Sequence, residues 1–249
     1  MNKVVLLCMS VAISVIIFFV LYLIPYFSKK KIRQGKFDIQ QFLNLFVSPI
    51  LIIPFLYFLR QIIIQTQYKM IIYTPKYINE LMFLLLLYFM IMGNSIHSVS
   101  VVLSKHMKNM KKEKVWEINE FFHNAFSHFL LTASAVFILL SFAILEINHP
   151  ALVPISNLEI AILIVCGVVF GIILGIASIE GSVPHLMLPV IYILSLMIPF
   201  IFIKHNLDFI YFPFTTFVET AFAAGGITIF IYRKLKNGYP EIVPQHFFD

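Results

Sequence analysis

Histidine, glutamate and asparagine side chains concentrate in the stretch 93–131, which contains the end of one apolar segment, a lysine-rich turn and the start of the next apolar segment. The side chains of this stretch that could bind a metal ion are those of Asn94, His97, Glu120, His123, Asn124 and His128. Neutral imidazoles combined with carboxylates suit Zn²⁺ or Fe. Because most other long segments of the chain are plain hydrocarbon, this stretch is the candidate functional centre.

The composition places this stretch in a membrane protein. Hydrophobic residues make up 60% of the 249 positions and charged residues only 12%, against about 25% charged residues in soluble globular domains. The apolar residues are spread over the whole length, which predicts several spanning helices rather than one anchor. We therefore expect a multi-pass integral membrane protein of the plasma (inner) membrane.

Seven segments of the chain are apolar and near the length of about 20 residues that crosses the hydrocarbon core. They cover residues 4–27, 42–64, 79–104, 119–145, 158–179, 185–203 and 210–232. None alternates in polarity, so the sequence predicts an all-α fold, a polytopic bundle of seven transmembrane helices that forms one domain over 1–249. In the fifth segment Gly167, Gly171 and Gly175 recur at steps of four, which favours close packing against a neighbouring helix.

The basic residues predict the orientation of this bundle. With seven helices, thirteen lysines and arginines fall on the side of the loops near 29–36, 105–114 and 233–236, and five fall on the other side. Because cytoplasmic loops carry the excess of positive charge, the N-terminus is predicted outside and the C-terminus in the cytosol. The same rule explains the formal charge of +6, so nucleic acid is not expected as a partner. Cys8 and Cys166 both lie within apolar segments and imply neither a disulfide framework nor a thiolate metal site.

The turn between the third and fourth segments brings two histidines to the same predicted depth. His97 lies eight residues before Lys105, and His128 lies eight residues after Glu120, which places each of them roughly 12 Å from the turn. A short connection makes the two helices antiparallel neighbours. We therefore predict that His97 and His128 are two ligands of one metal or cofactor centre, and the alternative is a polar network between the two helices that holds no ion.

Other polar residues are predicted to complete this centre in two tiers. The deep tier consists of Asn94, His97, His128 and Glu219. The shallow tier consists of Glu120, His123, Glu180 and His185. At about 100° per residue of α-helix, His123 points about 140° away from His128, so these two histidines are not expected to bind the same ion.

A metal-dependent membrane enzyme is the first function that these residues predict. In this hypothesis Zn²⁺ or Fe lies in a pocket between the third, fourth and seventh helices and acts on a lipid-like substrate that enters between helices. Zn²⁺ with three protein ligands and one open position lowers the pKa of a bound water to about 7, and Glu120 or Glu219 is the predicted general base. The activity would be that of a hydrolase or an oxidoreductase.

Two further functions fit the same residues. Two histidines on facing helices could be the axial ligands of haem in an electron-transfer protein. The protein could also be a non-enzymatic transporter or an accessory subunit. In every case it contacts membrane lipids, and it could form a homo-oligomer or belong to a larger membrane complex.

Overall fold

The computed structural model describes residues 1–23, 31–32, 37–38, 48–73, 76–107, 109, 111, 113–181 and 183–236. The helices in this part of the chain are α1 (Lys3–Leu23), α2 (Ser48–Ile64), α3 (Lys76–His106), α4 (Lys114–Ile147), α5 (Asn157–Glu180), α6 (Pro184–His205) and α7 (Pro213–Leu235). The two-residue strands β1 (Lys31–Ile32) and β2 (Phe37–Asp38) form one antiparallel pair, and a 3₁₀ turn at Phe209–Tyr211 precedes α7. For the described residues, the predicted all-α bundle of seven helices is confirmed.

Five of these helices, α3 to α7, are long and apolar enough to cross a membrane. The apolar parts of the first two helices are shorter among the described residues, Lys3–Ile17 in α1 and Ile52–Ile64 in α2. The predicted ends 24–27 and 42–47 of those segments lie outside the described residues. The fold is therefore that of a multi-pass helical membrane protein, and the direction in which its helices cross stays a prediction.

Helix α4 changes its hydrogen-bonding pattern along its length. It is α-helical over Lys114–Glu120, π-helical over Phe121–Phe126 and α-helical again over Ser127–Ile147. In a π-helical turn each backbone hydrogen bond spans five residues instead of four. This wider turn lies within the stretch that carries the candidate metal ligands.

Helices α3 and α4 form a closely packed hairpin around the connection 107–113. A Cβ atom built on Gly93 of α3 would lie 2.9 Å from the Cβ of Leu130 and 3.0 Å from the carbonyl oxygen of Ser127, both in α4. Since a side chain at Gly93 would collide with both, glycine permits this approach. The contact lies about one helical turn from His97.

Helices α5 and α7 pack through the glycines of α5. A Cβ built on Gly167 would lie 2.7 Å from the carbonyl oxygen of Phe217, and one built on Gly175 would lie 2.8 Å from the Cβ of Thr228. The predicted close packing of the fifth helix is confirmed, and its partner is α7. Because residue numbers rise together along this contact, α5 and α7 run parallel.

The apolar core contains large aromatic side chains from α4 and α7. The largest fully buried side chains of the described residues are Phe142, Phe214, Phe217 and Phe222. The ring of Phe142 in α4 lies 6.2 Å from the ring of Phe214 in α7, measured between centroids. This contact fixes α4 against the start of α7, at the end of α4 that is distant from the candidate ligands.

The first turn of α7 is held by a side chain of α4. Glu146 is only 2% exposed, and its carboxyl oxygens accept the N–H groups of Phe214 at 2.9 Å and Thr215 at 2.7 Å. The hydroxyl group of Thr215 donates to the same carboxyl group at 2.8 Å. The first N–H groups of a helix lack partners within the helix, so Glu146 takes the place of a cap. Pro213, the first residue of α7, has no N–H to satisfy.

Candidate metal centre

Three histidines from two helices come together inside the bundle. His97 of α3 has its ring centroid 4.6 Å from that of His128 and 5.0 Å from that of His123, both in α4. The ring centroids of His123 and His128 are 6.3 Å apart. Each residue offers one ring nitrogen, and the three nitrogens lie within 4.8 Å of one another. The predicted meeting of His97 and His128 at one depth is confirmed.

The prediction that His123 points away from His128 is wrong, because the turn between them is not α-helical. At the end of the π-helical turn, the N–H of Ser127 donates to the carbonyl oxygen of Phe122, five residues earlier. A turn with this bonding brings residues five apart to nearly the same face, whereas α-helical geometry would separate His123 from His128 by about 140°. The wider turn therefore adds His123 to the cluster.

Two ring nitrogens of the cluster lack a hydrogen-bond partner. The Nδ1 atoms of His97 and His123 are both buried and accept or donate no hydrogen bond within the described part of the chain. Buried polar atoms are nearly always paired in folded proteins, so these two need an explanation. Imidazole nitrogens that lack protein partners are suited to bind a cation.

The spacing of the ligand atoms fits such an ion. Tetrahedral Zn²⁺ with Zn–N distances of about 2.0–2.1 Å places its ligand nitrogens roughly 3.3 Å apart. The three histidines already bring one nitrogen each within 4.8 Å of the others. Three imidazoles gathered in this way are a donor set that fits a bound metal ion.

A carboxylate is fixed beside the cluster. Glu120 accepts a hydrogen bond from the hydroxyl group of Ser104 at 2.8 Å and another from the side-chain amide of Asn124 at 2.8 Å. One of its oxygens lies 4.0 Å from Nδ1 of His123. Glu120 is therefore held next to a histidine of the cluster.

Three polar residues that sequence analysis missed support this carboxylate. The side-chain amide of Asn119 donates to the hydroxyl group of Ser104 at 2.8 Å and to the carbonyl oxygen of Ser100 at 3.2 Å. Asn119 is 7% exposed and Ser100 is 4% exposed. Ser104 and Asn119 take part through their side chains, whereas Ser100 contributes only its backbone carbonyl oxygen, which no side-chain pattern in the sequence could have identified.

Glu219 is not brought to the histidines. Gly167 of α5 packs against Phe217 and therefore lies level with Glu219, whereas Gly181, just beyond the end of α5, packs against His128. The fourteen residues from 167 to 181 correspond to roughly 21 Å along the helix axis. The predicted deep tier requires Glu219 to lie close to His128. The structure does not bring these two residues together.

The other predicted ligands lie at the edge of the cluster. Asn94 is half-buried on α3, three residues before His97 and roughly 4.5 Å along the helix axis. Glu180 and His185 are both exposed and flank Gly181, the residue that contacts His128. The roles of Asn94, Glu180 and His185 as metal ligands stay predictions.

Replacing Gly181 with alanine is expected to displace the ring of His128. A Cβ at position 181 would lie 2.6 Å from the Cβ, Cγ and Nδ1 atoms of His128. The backbone angles of Gly181, φ −75° and ψ 4°, are accessible to alanine, so the effect comes from the contact alone. We expect Gly181→Ala to lower the affinity for Zn²⁺ about tenfold or more, measured by chelator competition on the purified protein in detergent.

Gly226→Ala is the matched control for this substitution. A Cβ at Gly226 of α7 would lie 3.4 Å from the nearest atom of Ile191, which is an ordinary contact. This variant should keep the affinity of the unchanged protein. If Gly181→Ala also keeps it, the ring of His128 is not part of the metal site.

The fold and the site define the class of this chain as a multi-pass helical membrane protein with a histidine cluster inside its bundle. Comparisons of the chain with protein-family models, with curated proteins and with solved structures give no match. The function is therefore argued from the site itself.

Proposed function

We propose that His97, His123 and His128 bind one metal ion, and that the protein uses this ion for chemistry on a lipid-like substrate. The observation that carries the proposal is the convergence of three imidazole nitrogens within 4.8 Å of one another. The unpaired Nδ1 atoms of His97 and His123 support it. Polar side chains inside a membrane bundle are costly to insert and usually serve a function, and binding a cation would be that function here.

Zinc is the ion that the donor set favours. Three neutral histidines with an open fourth position are typical of catalytic Zn²⁺, and Fe is the second choice. When bound, such an ion acts as a Lewis acid and makes a water molecule at its open position more acidic. Glu120 is the proposed general base, because Ser104 and Asn124 hold its carboxylate 4.0 Å from His123.

An apolar groove beside this network supports a lipid-like substrate. The groove has a volume of about 430 Å³ and lies between α3 and the first part of α4. It opens outward and is lined by Ser95, Ile96, Val99, Ser100, Leu103, Met107, Val115, Ile118, Asn119 and Phe122. Two of these residues, Ser100 and Asn119, also belong to the hydrogen-bond network of Glu120. An acyl chain in the groove would therefore lie next to the proposed base.

Haem has less support than a single metal ion. Two axial histidines hold the flat macrocycle between their rings. The rings of His97 and His128 lie 4.6 Å apart between centroids, with the edge of one ring against the face of the other. Rings in contact at this distance leave no space between them for a macrocycle.

A proton-coupled transporter is the second candidate function, and it rests on Glu219. The Oε2 atom of Glu219 is buried and has no hydrogen-bond partner among the described residues. Acidic side chains inside a bundle often mark ion or proton pathways. This function differs from the first in that Glu219→Gln would abolish it without changing the affinity for metal.

The plasma (inner) membrane is proposed as the location on composition alone. The lipids of that membrane are the proposed direct partners of the exposed apolar helix faces, and they are the source of the substrate. Association into a homo-oligomer or a larger membrane complex is a further proposal from the sequence.

Conversion of a lipid by the metal-loaded protein tests the proposed function. The protein loaded with Zn²⁺ is reconstituted into vesicles of a natural membrane lipid extract, and every lipid class is followed by mass spectrometry. We expect one class to be consumed by the unchanged protein and not by His123→Ala or Glu120→Gln. A protein that binds one ion per chain but leaves every lipid class unchanged would contradict the enzymatic part and favour transport.

A further inference from the structure

The π-helical turn of α4 leaves one backbone carbonyl without its usual donor. In an α-helix, the carbonyl oxygen of His123 would accept the N–H of Ser127, four residues later. Here that N–H donates to Phe122 instead. The carbonyl oxygen of His123, one of the candidate ligands, is therefore without the donor that residue 127 would provide in an α-helix.

The side chain of Ser127 supplies that donor. Its hydroxyl group donates to the carbonyl oxygen of His123 at 2.5 Å. Ser127 is fully buried, and its own carbonyl oxygen faces the close contact with Gly93. A hydrogen bond of this kind contributes about 0.5–1.5 kcal/mol, so the hydroxyl group stabilises the wide turn at the residue where the turn matters.

We propose that Ser127 is a positioning residue of the metal centre. Its N–H and hydroxyl group together maintain the five-residue turn, and that turn places His123 on the same face of α4 as His128. Ser127 does not contact the ion; it acts through His123. This inference rests on the proposed metal binding and adds the element that assembles two of the three ligands on one helix.

The hydroxyl group of Ser178 forms the same kind of hydrogen bond in an ordinary α-helix. Ser178 of α5 is also fully buried, and its hydroxyl group donates to the carbonyl oxygen of Leu174, four residues earlier, at 2.9 Å. Ser178 lies in a continuous α-helix, where the backbone already provides a donor for that carbonyl. Ser178 is therefore a matched control with the same residue type, burial and hydrogen bond, but without a π-helical turn.

Metal affinity in a set of variants tests the role of Ser127. We expect Ser127→Ala to weaken Zn²⁺ binding about 10- to 100-fold, the loss typical of a residue that orients a ligand. Ser127→Thr keeps a hydroxyl group that can bond the carbonyl four residues earlier and should restore most of the affinity. Ser178→Ala should bind like the unchanged protein. Equal affinities of Ser127→Ala and Ser178→Ala would overturn the proposal.

A double variant separates positioning from general destabilisation. If Ser127 acts through His123, Ser127→Ala should cause no further loss of affinity in a chain that already carries His123→Ala. A loss of the same size in both backgrounds would show that Ser127 stabilises the fold generally, and it would overturn the positioning role.

A crosslinking measurement without metal tests the role of Ser127 in the turn separately from the proposed metal binding. In a chain with Cys8→Ala and Cys166→Ala, the pair His123→Cys and His128→Cys should be bridged by a short bifunctional thiol reagent. Bridging should become slower when Ser127→Ala is added, and unchanged bridging would overturn the inference. If the unchanged protein binds no metal but bridging depends on Ser127, the proposed function fails while the role of Ser127 in the turn stands.

Discussion

His128→Ala is expected to lower the affinity of the purified protein for Zn²⁺ by more than about 100-fold, because it removes one of three ligands and the ion has no equivalent replacement. The ring of His128 contacts His97 across the hairpin and lies against Gly181 beyond the end of α5. His128 is therefore a proposed ligand on α4 that also contacts α3 and the residue after α5. The dissociation constant is measured by competition with a chelator of known affinity, in detergent.

His205→Ala is the matched control for this variant. His205 is an exposed histidine at the end of α6, and its removal should leave the affinity unchanged. The thermal unfolding of His128→Ala in the absence of metal is compared with that of the unchanged protein, so that loss of the ligand is separated from loss of the fold. Undiminished Zn²⁺ binding by His128→Ala would contradict the proposed centre.

Glu146→Ala is expected to lower the free energy of unfolding by about 3–5 kcal/mol. The substitution leaves the N–H groups of Phe214 and Thr215 without acceptors inside the core, at about 1–3 kcal/mol each, and removes a carboxyl group from the start of a helix. Glu146→Gln keeps one acceptor oxygen and should lose less. The free energy is measured by reversible unfolding in mixed detergent micelles, with helix content as the signal.

Glu80→Ala makes the same chemical change at an exposed position. Glu80 forms an ion pair with Arg60 at 3.3 Å, and its side chain is 45% exposed. Exposed ion pairs contribute about 0–1 kcal/mol, so this variant should unfold almost like the unchanged protein. Similar losses for Glu146→Ala and Glu80→Ala would contradict the role of Glu146 as the cap of α7.

The helices could be predicted because their lengths follow from the thickness of the membrane. Each predicted apolar segment contains the greater part of one observed helix, and the differences lie at the ends. Pro213 begins α7 three residues later than predicted, because a proline is favoured at the first helical position and Phe209–Tyr211 forms a separate 3₁₀ turn. Helix α4 begins at Lys114 rather than at residue 119.

The pairing of His97 with His128 could also be predicted, since a short connection between two helices fixes which residues lie at the same height. The participation of His123 in the cluster could not be predicted from the sequence. It depends on a π-helical turn, and no residue pattern used for the sequence analysis distinguishes that turn from an α-helix. The hydroxyl group of Ser127 is part of the cause, but a serine in a membrane helix is too common to indicate it.

For two acidic residues, the position along their own helix is not enough to predict which residues they contact. Glu146 lies just beyond the predicted segment 119–145, and its partners are N–H groups 68 and 69 residues later in the chain. Glu219 was assigned to the deep tier by counting from the end of its own helix. Its height relative to the histidines is set instead by the contacts of α5 with α7 and with His128.

The metal content of the purified protein tests the central claim most directly. The protein is produced with Zn²⁺ and Fe supplied, freed of loosely bound ions and analysed by elemental mass spectrometry, with X-ray absorption at the edge of the metal found. We expect about one ion per chain with imidazole nitrogens as ligands, and loss of that ion in the double variant His97→Ala, His128→Ala. Protein that is folded and free of stoichiometric metal, or whose ion is unaffected by both substitutions, would contradict it.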